Sequence, residues 1–300
     1  MYLTGFADEA SQDLEKQIQV TKELGWNAIE ARSVWGTNIH DISERDFERV
    51  QRILDDAKVH INCFGSTIAN WSKSVGDPFD ISIAEVERAI PRMHALDTKL
   101  IRIMSYARCL GEEQNKEERF RRLREICGRF IDAGITPVHE NCMNFGGMSW
   151  CHSLELIDNV PGMKLVFDTG NPVISEDCSK ITGEIQDPVE FFEKVKKHIA
   201  YIHVKDARLE NGAESFLYPG DGDACIPQIL QMLYDSNYQG GISIEPHMAS
   251  VFHDPNSANA SAEESYAIYL EYGRRLMVLL EKVGYKPELY GESEKNYLNR

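Results

Sequence analysis

Residues 135–171 read ITPVHENCMNFGGMSWCHSLELIDNVPGMKLVFDTGN. The apolar run at 135–138 ends in His139-Glu140-Asn141. A stretch with Leu154 and Ile157 at helical spacing follows. A second apolar run at 164–167 ends in Asp168-Thr169-Gly170-Asn171. Two strand-length runs joined by a helical segment read as a βαβ unit, so the two strands are expected to be parallel.

The same alternation extends in both directions. Upstream, strands are expected at 2–6, 28–29, 59–64 and 100–104, and downstream at 199–204 and 241–244. Between them lie amphipathic stretches. Leu14, Ile18 and Leu24 mark one, and Phe47, Val50, Leu54 and Ala57 mark the next, with Ser43 to Asp46 as a capping box at its start. A helix over 81–96 is expected to kink or split at Pro91. Further helices are expected over 117–132, 226–234 and 266–283, with another opened by Asp187-Pro188 as N-cap and first helical residue. Repeated βα units to the number of eight define an α/β fold, a (β/α)8 TIM barrel. A doubly wound open sheet is the structural rival, but no Gly-x-Gly-x-x-Gly follows the first strand. No linker divides the chain. Residues 1–284 are expected to form one catalytic barrel, and 285–300 a polar C-terminal tail.

Composition narrows the partners. The chain has 300 residues, 42% hydrophobic and 27% charged, and a net charge of -16. Such an acidic surface disfavours nucleic acid and anionic membrane, both of which call for clustered Lys and Arg. The 7 Cys are scattered, without a Cys-x-x-Cys pair, so neither a disulfide framework nor a zinc ribbon is expected. No signal-peptide pattern opens the sequence, and a cytoplasmic location is the expectation.

In a (β/α)8 barrel, chemistry gathers at the carboxyl ends of the strands. Strands five to eight end in Glu140, Asp168, His203 and Glu245 respectively. Singly, each has a bland reading: a rim salt bridge for either Glu, a turn former for Asp168, a satisfied core histidine for His203. In register on consecutive strands, they read as ligands of one divalent metal ion. The mixed oxygen and nitrogen set favours Mn2+, with Co2+, Mg2+ or Zn2+ as alternatives.

The segments HENC, FDTGN, IHVKDAR and SIEPH, in that order, resemble the xylose isomerase-like TIM-barrel superfamily. The opening GFADEAS and the stretch ENCMNFGGMS resemble its sugar phosphate isomerase/epimerase branch. That resemblance implies a metal-dependent isomerase or epimerase of a sugar or keto-sugar working through an enediolate. The alternative is a lyase or hydratase on oxidised sugars, including β-elimination of a 3-keto-glycoside with a partner subunit. The superfamily's apurinic endonucleases use extra histidines that this chain lacks: Asn171 and the loop Asp221-Gly-Asp223 stand where those would be.

Glu140 and Glu245 are the expected catalytic acid–base pair, since their strands flank the barrel mouth. Lys205, two residues after His203, and His247, two after Glu245, share the ligands' faces and are expected to bind substrate. Asn141, Asn171 and Arg208 are further polar contacts. Arg32 and Glu9 are read as a salt bridge or a pocket lining, and Trp35, Phe64, Trp71 and Tyr106 as apolar walls or core. His139 points away from Glu140 and is read as packing. Gly220 to Asp223 reads as a turn capping the next helix, and Gly146-Gly147 as a weak phosphate cradle. The expected assembly is a homo-oligomer, or a hetero-oligomer for the lyase.

Overall fold

The computed structural model describes residues 1–109, 111, 113–249 and 260–291. Eight parallel strands form the central sheet: β1 (Tyr2–Gly5), β2 (Ala28–Ala31), β3 (His60–Gly65), β4 (Leu100–Ile103), β5 (Thr136–Glu140), β6 (Lys164–Asp168), β7 (Ile199–Val204) and β8 (Gly241–Ile244). Each pairs with its sequence neighbour from β2 to β8, and β8 pairs with β1, Tyr2 opposite Gly241. Only the β1–β2 seam lacks a hydrogen-bonded ladder, so the barrel is nearly closed.

The helices follow the strands in turn: α1 (Leu14–Glu23), α2 (Glu44–Ala57), α3 (Phe79–Ala95), α4 (Lys116–Asp132), α5 (Trp150–Asn159), α6 (Pro188–Val195), α7 (Ile226–Asp235) and α8 (Ala262–Val283). Their starts are written locally. Asp13, Ser43, Ser149, Asp187 and Ser261 each accept a backbone N–H of the first turn, which satisfies donors that the helix itself cannot. At α2 the Ser43 hydroxyl instead donates to the Asp46 side chain at 2.6 Å, a one-sided version of the expected box.

Strand alternation sorts the core into two layers. Phe167 and Ile202 face outward, where Phe167 meets Phe191 and Phe192 of α6 edge-on. Tyr2, Ala28, Cys63, Val138, Val166 and Tyr201 fill the barrel floor with Tyr290. Above that floor the inward positions turn polar.

Two expectations change, and two features add to the reading. Pro91 neither splits nor ends α3, which runs unbroken through it; the proline and Glu87, whose carbonyl it deprives of a partner, both face solvent, where water replaces the lost bond. The loop at 220–223 does not cap α7, whose N-cap is Cys225 without a side-chain bond. It wraps the Asp206 carboxylate, which accepts N–H groups of Gly220, Gly222 and Ala224 at 2.7, 3.0 and 3.1 Å. A hairpin, Asp206–Glu210 with Ala213–Leu217, extends β7 beyond the barrel mouth and was not legible as strands. The first part of the tail packs under the barrel: the Tyr290 amide donates to Asn27 Oδ1 at 2.8 Å, and its ring meets Tyr2 at 4.9 Å. Residues 292–300 lie outside the described residues.

Candidate metal centre at the barrel mouth

Register brings the four expected ligands together. Glu140 and Asp168 end β5 and β6, and His203 is the last residue but one of β7, all on the inward face, with Asp168 directly opposite His203. Glu245 follows β8, its amide bonded to the Val204 carbonyl. The four side chains are buried, and one donor atom of each lies within 4.8 Å of the others.

His203 organises the group. Its Nε2 lies 3.0 Å from Glu30 Oε2, an oxygen that also accepts the Ser243 hydroxyl at 2.6 Å. Glu30 is thereby placed to accept a hydrogen bond from Nε2–H, which turns Nδ1 toward the centre. That Nδ1 is buried and has no hydrogen-bond partner among the described residues. It faces Glu245 Oε2 at 3.5 Å and Glu140 Oε1 at 3.7 Å, too long for hydrogen bonds. A carboxylate behind one imidazole nitrogen, with the other open toward carboxylates, is how proteins prepare a histidine ligand. Asp168 is set likewise: Oδ1 accepts the amides of Gly170 and Asn171 at 2.9 and 2.7 Å, while Oδ2 is left facing the centre, with Lys205 Nζ 3.2 Å away. The residues therefore fit a divalent ion.

Protein cations share the centre. Lys205 Nζ stands 3.2 Å from Asp168 Oδ2 and 3.3 Å from Glu245 Oε2. Arg102 Nη1 is 2.7 Å from Glu140 Oε2, and Arg32 Nη1 is 3.2 Å from Glu245 Oε1. Burial pushes the Glu140 carboxyl up, but Arg102 and His203 together outweigh it and hold the group at about 2. Burial prevails at Asp168, pushed up to about 7 against the pull of Lys205. Burial, with Lys205 nearby, lowers the His247 ring to about 4.

A cavity of about 340 Å³ opens onto this centre, lined among the described residues by Arg32, Trp71, Arg102, Glu140, Asn171, Lys205 and His247. Asn171 reaches Glu140 Oε1 at 3.3 Å, and Arg32 both bridges carboxylates and faces the cavity. Asn141 is a correction: its amide spends both ends on the Asp168 backbone at 2.7 and 3.0 Å, bracing β5 to β6. Arg208 is another. It sits on the hairpin with its Nε 3.2 Å from Asp223 and does not line the cavity. Of the aromatic walls only Trp71 belongs to the lining; Phe64 and Tyr106 are buried core and Trp35 stacks under Arg49. Gly146 and Gly147 do not form a phosphate cradle: their amides are spent on Ser105 Oγ at 2.9 Å and Asn144 Oδ1 at 3.1 Å. His139 is packing: its Nε2 meets Ser105 Oγ at 3.0 Å.

Sequence reading missed Glu30 and Arg102. A signal existed, because the buried strands of a parallel barrel are apolar almost throughout, and AIEA and LIRI each interrupt that run with one charge.

An eight-stranded α/β barrel with a buried carboxylate–imidazole cluster at the carboxyl ends of its strands has the architecture of the TIM-barrel enzymes. The chain belongs to the xylose isomerase-like TIM barrel family, whose model matches residues 18–270. It is similar to an inosose dehydratase from Clostridium botulinum, 34% identical over 149 residues, which are 43% of this chain and 44% of the relative. The match thus spans less than half the length of that relative. A xylose isomerase-like TIM barrel protein from Mycobacterium smegmatis in complex with magnesium has the same fold, with TM-score 0.67 and 16% identity over 94% of this chain and 97% of that one. A D-tagatose 3-epimerase-like protein shares it too, with TM-score 0.66 and 21% identity over 95% and 100%. Among the described residues no helix is long and apolar enough to cross a membrane.

Proposed function

We propose that the protein is a divalent-metal-dependent enzyme that takes the proton beside the carbonyl of a keto-polyol or keto-sugar and then expels a β-hydroxyl as water. The observation that carries this is His203 Nδ1, buried, unpartnered and facing Glu140 and Glu245. Glu140, Asp168, His203 and Glu245 would hold the ion, with Mn2+ favoured by the donor set. When bound, it supplies Lewis-acid polarisation of the substrate carbonyl.

The chain's own groups do the rest. Glu245 takes the proton as general base. Lys205, whose charge is sustained by Asp168 and Glu245 despite burial, faces the charge that develops on the enolate oxygen. Glu245 then gives that proton to the departing hydroxyl, which His247, with Nε2 3.3 Å from Glu245 Oε1, holds on the same side, and the hydroxyl leaves as water. Asn171 and Arg32 orient the remaining hydroxyls. The dehydratase relative supports elimination as the outcome.

Isomerisation or epimerisation is the second reading. It is favoured by Glu140, a second carboxylate across the centre from Glu245, which can return a proton to the opposite face. Incubation of Mn2+-loaded protein with an inosose and with D-tagatose in D2O separates the two. Dehydration gives a product lighter by one water; epimerisation keeps the mass apart from incorporated deuterium. Turnover that persists undiminished in Glu140→Gln and Glu245→Gln, with metal bound, rules out both.

A further inference from the structure

The barrel seam between β1 and β2 has no ladder, and a side-chain network closes it. Arg32, following β2, donates to Asp8 at 2.9 and 3.1 Å and to Glu9 Oε1 at 3.2 Å, both in the turn after β1. The network then reaches β8: the His247 amide donates to Glu9 Oε2 at 2.7 Å. His247 needs that bond. Its φ is 54°, the left-handed region that a residue with a Cβ enters at a cost. Glu9 is buried, so its carboxylate is a fixed post.

The ring is confined as well. Phe216 of the hairpin meets it edge-on at 5.2 Å, and its Nε2 lies 3.3 Å from Glu245 Oε1 and 3.6 Å from Glu9 Oε1. Glu9, Glu245 and His247 bring donor atoms within 4.8 Å of one another, as a metal site would. Arg32 already fills the cation's place there, with nitrogens 3.2 Å from both carboxylates. The cluster therefore orients a side chain.

We infer that Glu9 is a positioning residue, which locks His247 in its left-handed conformation over Glu245 and so serves expulsion of the hydroxyl and not removal of the proton. This rests on the dehydratase reading. Without the Glu9 acceptor the backbone at 247 relaxes and the ring leaves the departing group. The base and the four ligands stay in place.

The test compares Glu9→Ala, Glu9→Gln and His247→Gln in the Mn2+-loaded protein, with an inosose in D2O as probe. Deuterium uptake beside the carbonyl reads proton removal, and loss of water reads expulsion. Glu9→Ala and His247→Gln should keep metal content and deuterium uptake, while kcat for water loss falls about 100-fold, the scale of a 1 Å misplacement. Glu9→Gln, which keeps an acceptor for the His247 amide, should recover most of the loss. Equal falls in uptake and water loss, or no fall in Glu9→Ala, would overturn the inference. A wild type inert toward the probe would sink the dehydratase reading instead. Positioning is then judged by the His247 NMR resonances of the protein loaded with diamagnetic Mg2+, which should move in Glu9→Ala and not in Glu9→Gln; resonances unmoved in Glu9→Ala would overturn it.

Discussion

His203 Nε2 and Glu30 Oε2 lie 3.0 Å apart at the centre of the barrel, and that contact decides which nitrogen of the ring is left for the cavity. Glu30 touches no other expected ligand, yet it sets the tautomer on which a metal bond depends. Glu30→Gln should leave the fold intact and weaken Mn2+ binding about 10- to 100-fold. Titration of metal-stripped protein measures it, and unchanged affinity would show that Glu30 is only a packing group.

Metal removal should lower stability. An ion bound to the folded chain alone adds about 2.7 kcal/mol when its concentration is 100 times Kd. The melting temperature of chelated protein should rise on addition of Mn2+, and the rise should vanish in Glu140→Ala and His203→Ala. Elemental analysis should find one equivalent in the wild type and none in these variants.

Lys205 and Arg208 stand three residues apart and should behave oppositely. Lys205→Met leaves Asp168 and Glu245 facing each other without their shared cation. Breaking such a buried pair costs about 3–5 kcal/mol, and turnover should be lost with it. Arg208→Ala touches an exposed pair with Asp223 and should change kcat/KM by about twofold or less.

Asp206→Ala should destabilise without touching the centre. It strips acceptors from the N–H groups of Ala207, Gly220, Gly222 and Ala224. Ala207 and Ala224 are buried, and unsatisfied buried donors cost about 1–3 kcal/mol each, so urea denaturation should show a loss of about 2 kcal/mol or more. A loss under about 1 kcal/mol would mean that the loop finds other partners.

Gly147→Ala should destabilise by about 1–3 kcal/mol through overpacking, because the new Cβ would overlap the Cys142 carbonyl. The same measurement reads it. A neutral outcome would show that the turn after β5 yields freely.

The barrel was legible because its signals are local and repeated. Apolar runs of strand length, helical spacing between them and capping residues such as Asp187 with Pro188 each depend on a few neighbouring residues. The cluster at the mouth was legible because strand parity is a rule of two: once a strand's end is placed, the residue there and the one two beyond it share a face, which brought Lys205 and His247 alongside His203 and Glu245. Parity fails where the chain leaves the strand. Asn141 and Arg208 lie one and four residues past the ends of the barrel strands β5 and β7, Glu140 and Val204, and were assigned by nearness alone.

Thus the order of apolar and polar residues by itself determined eight βα units and which four side chains crown strands five to eight. Only the tertiary structure decided what those side chains meet. Glu30 reaches His203 from 173 positions away and Arg32 reaches Glu245 from 213, across a barrel whose closure no local pattern encodes. The partners of a buried charge are set by which strands come to face each other, and a linear sequence carries no distance between residues that far apart.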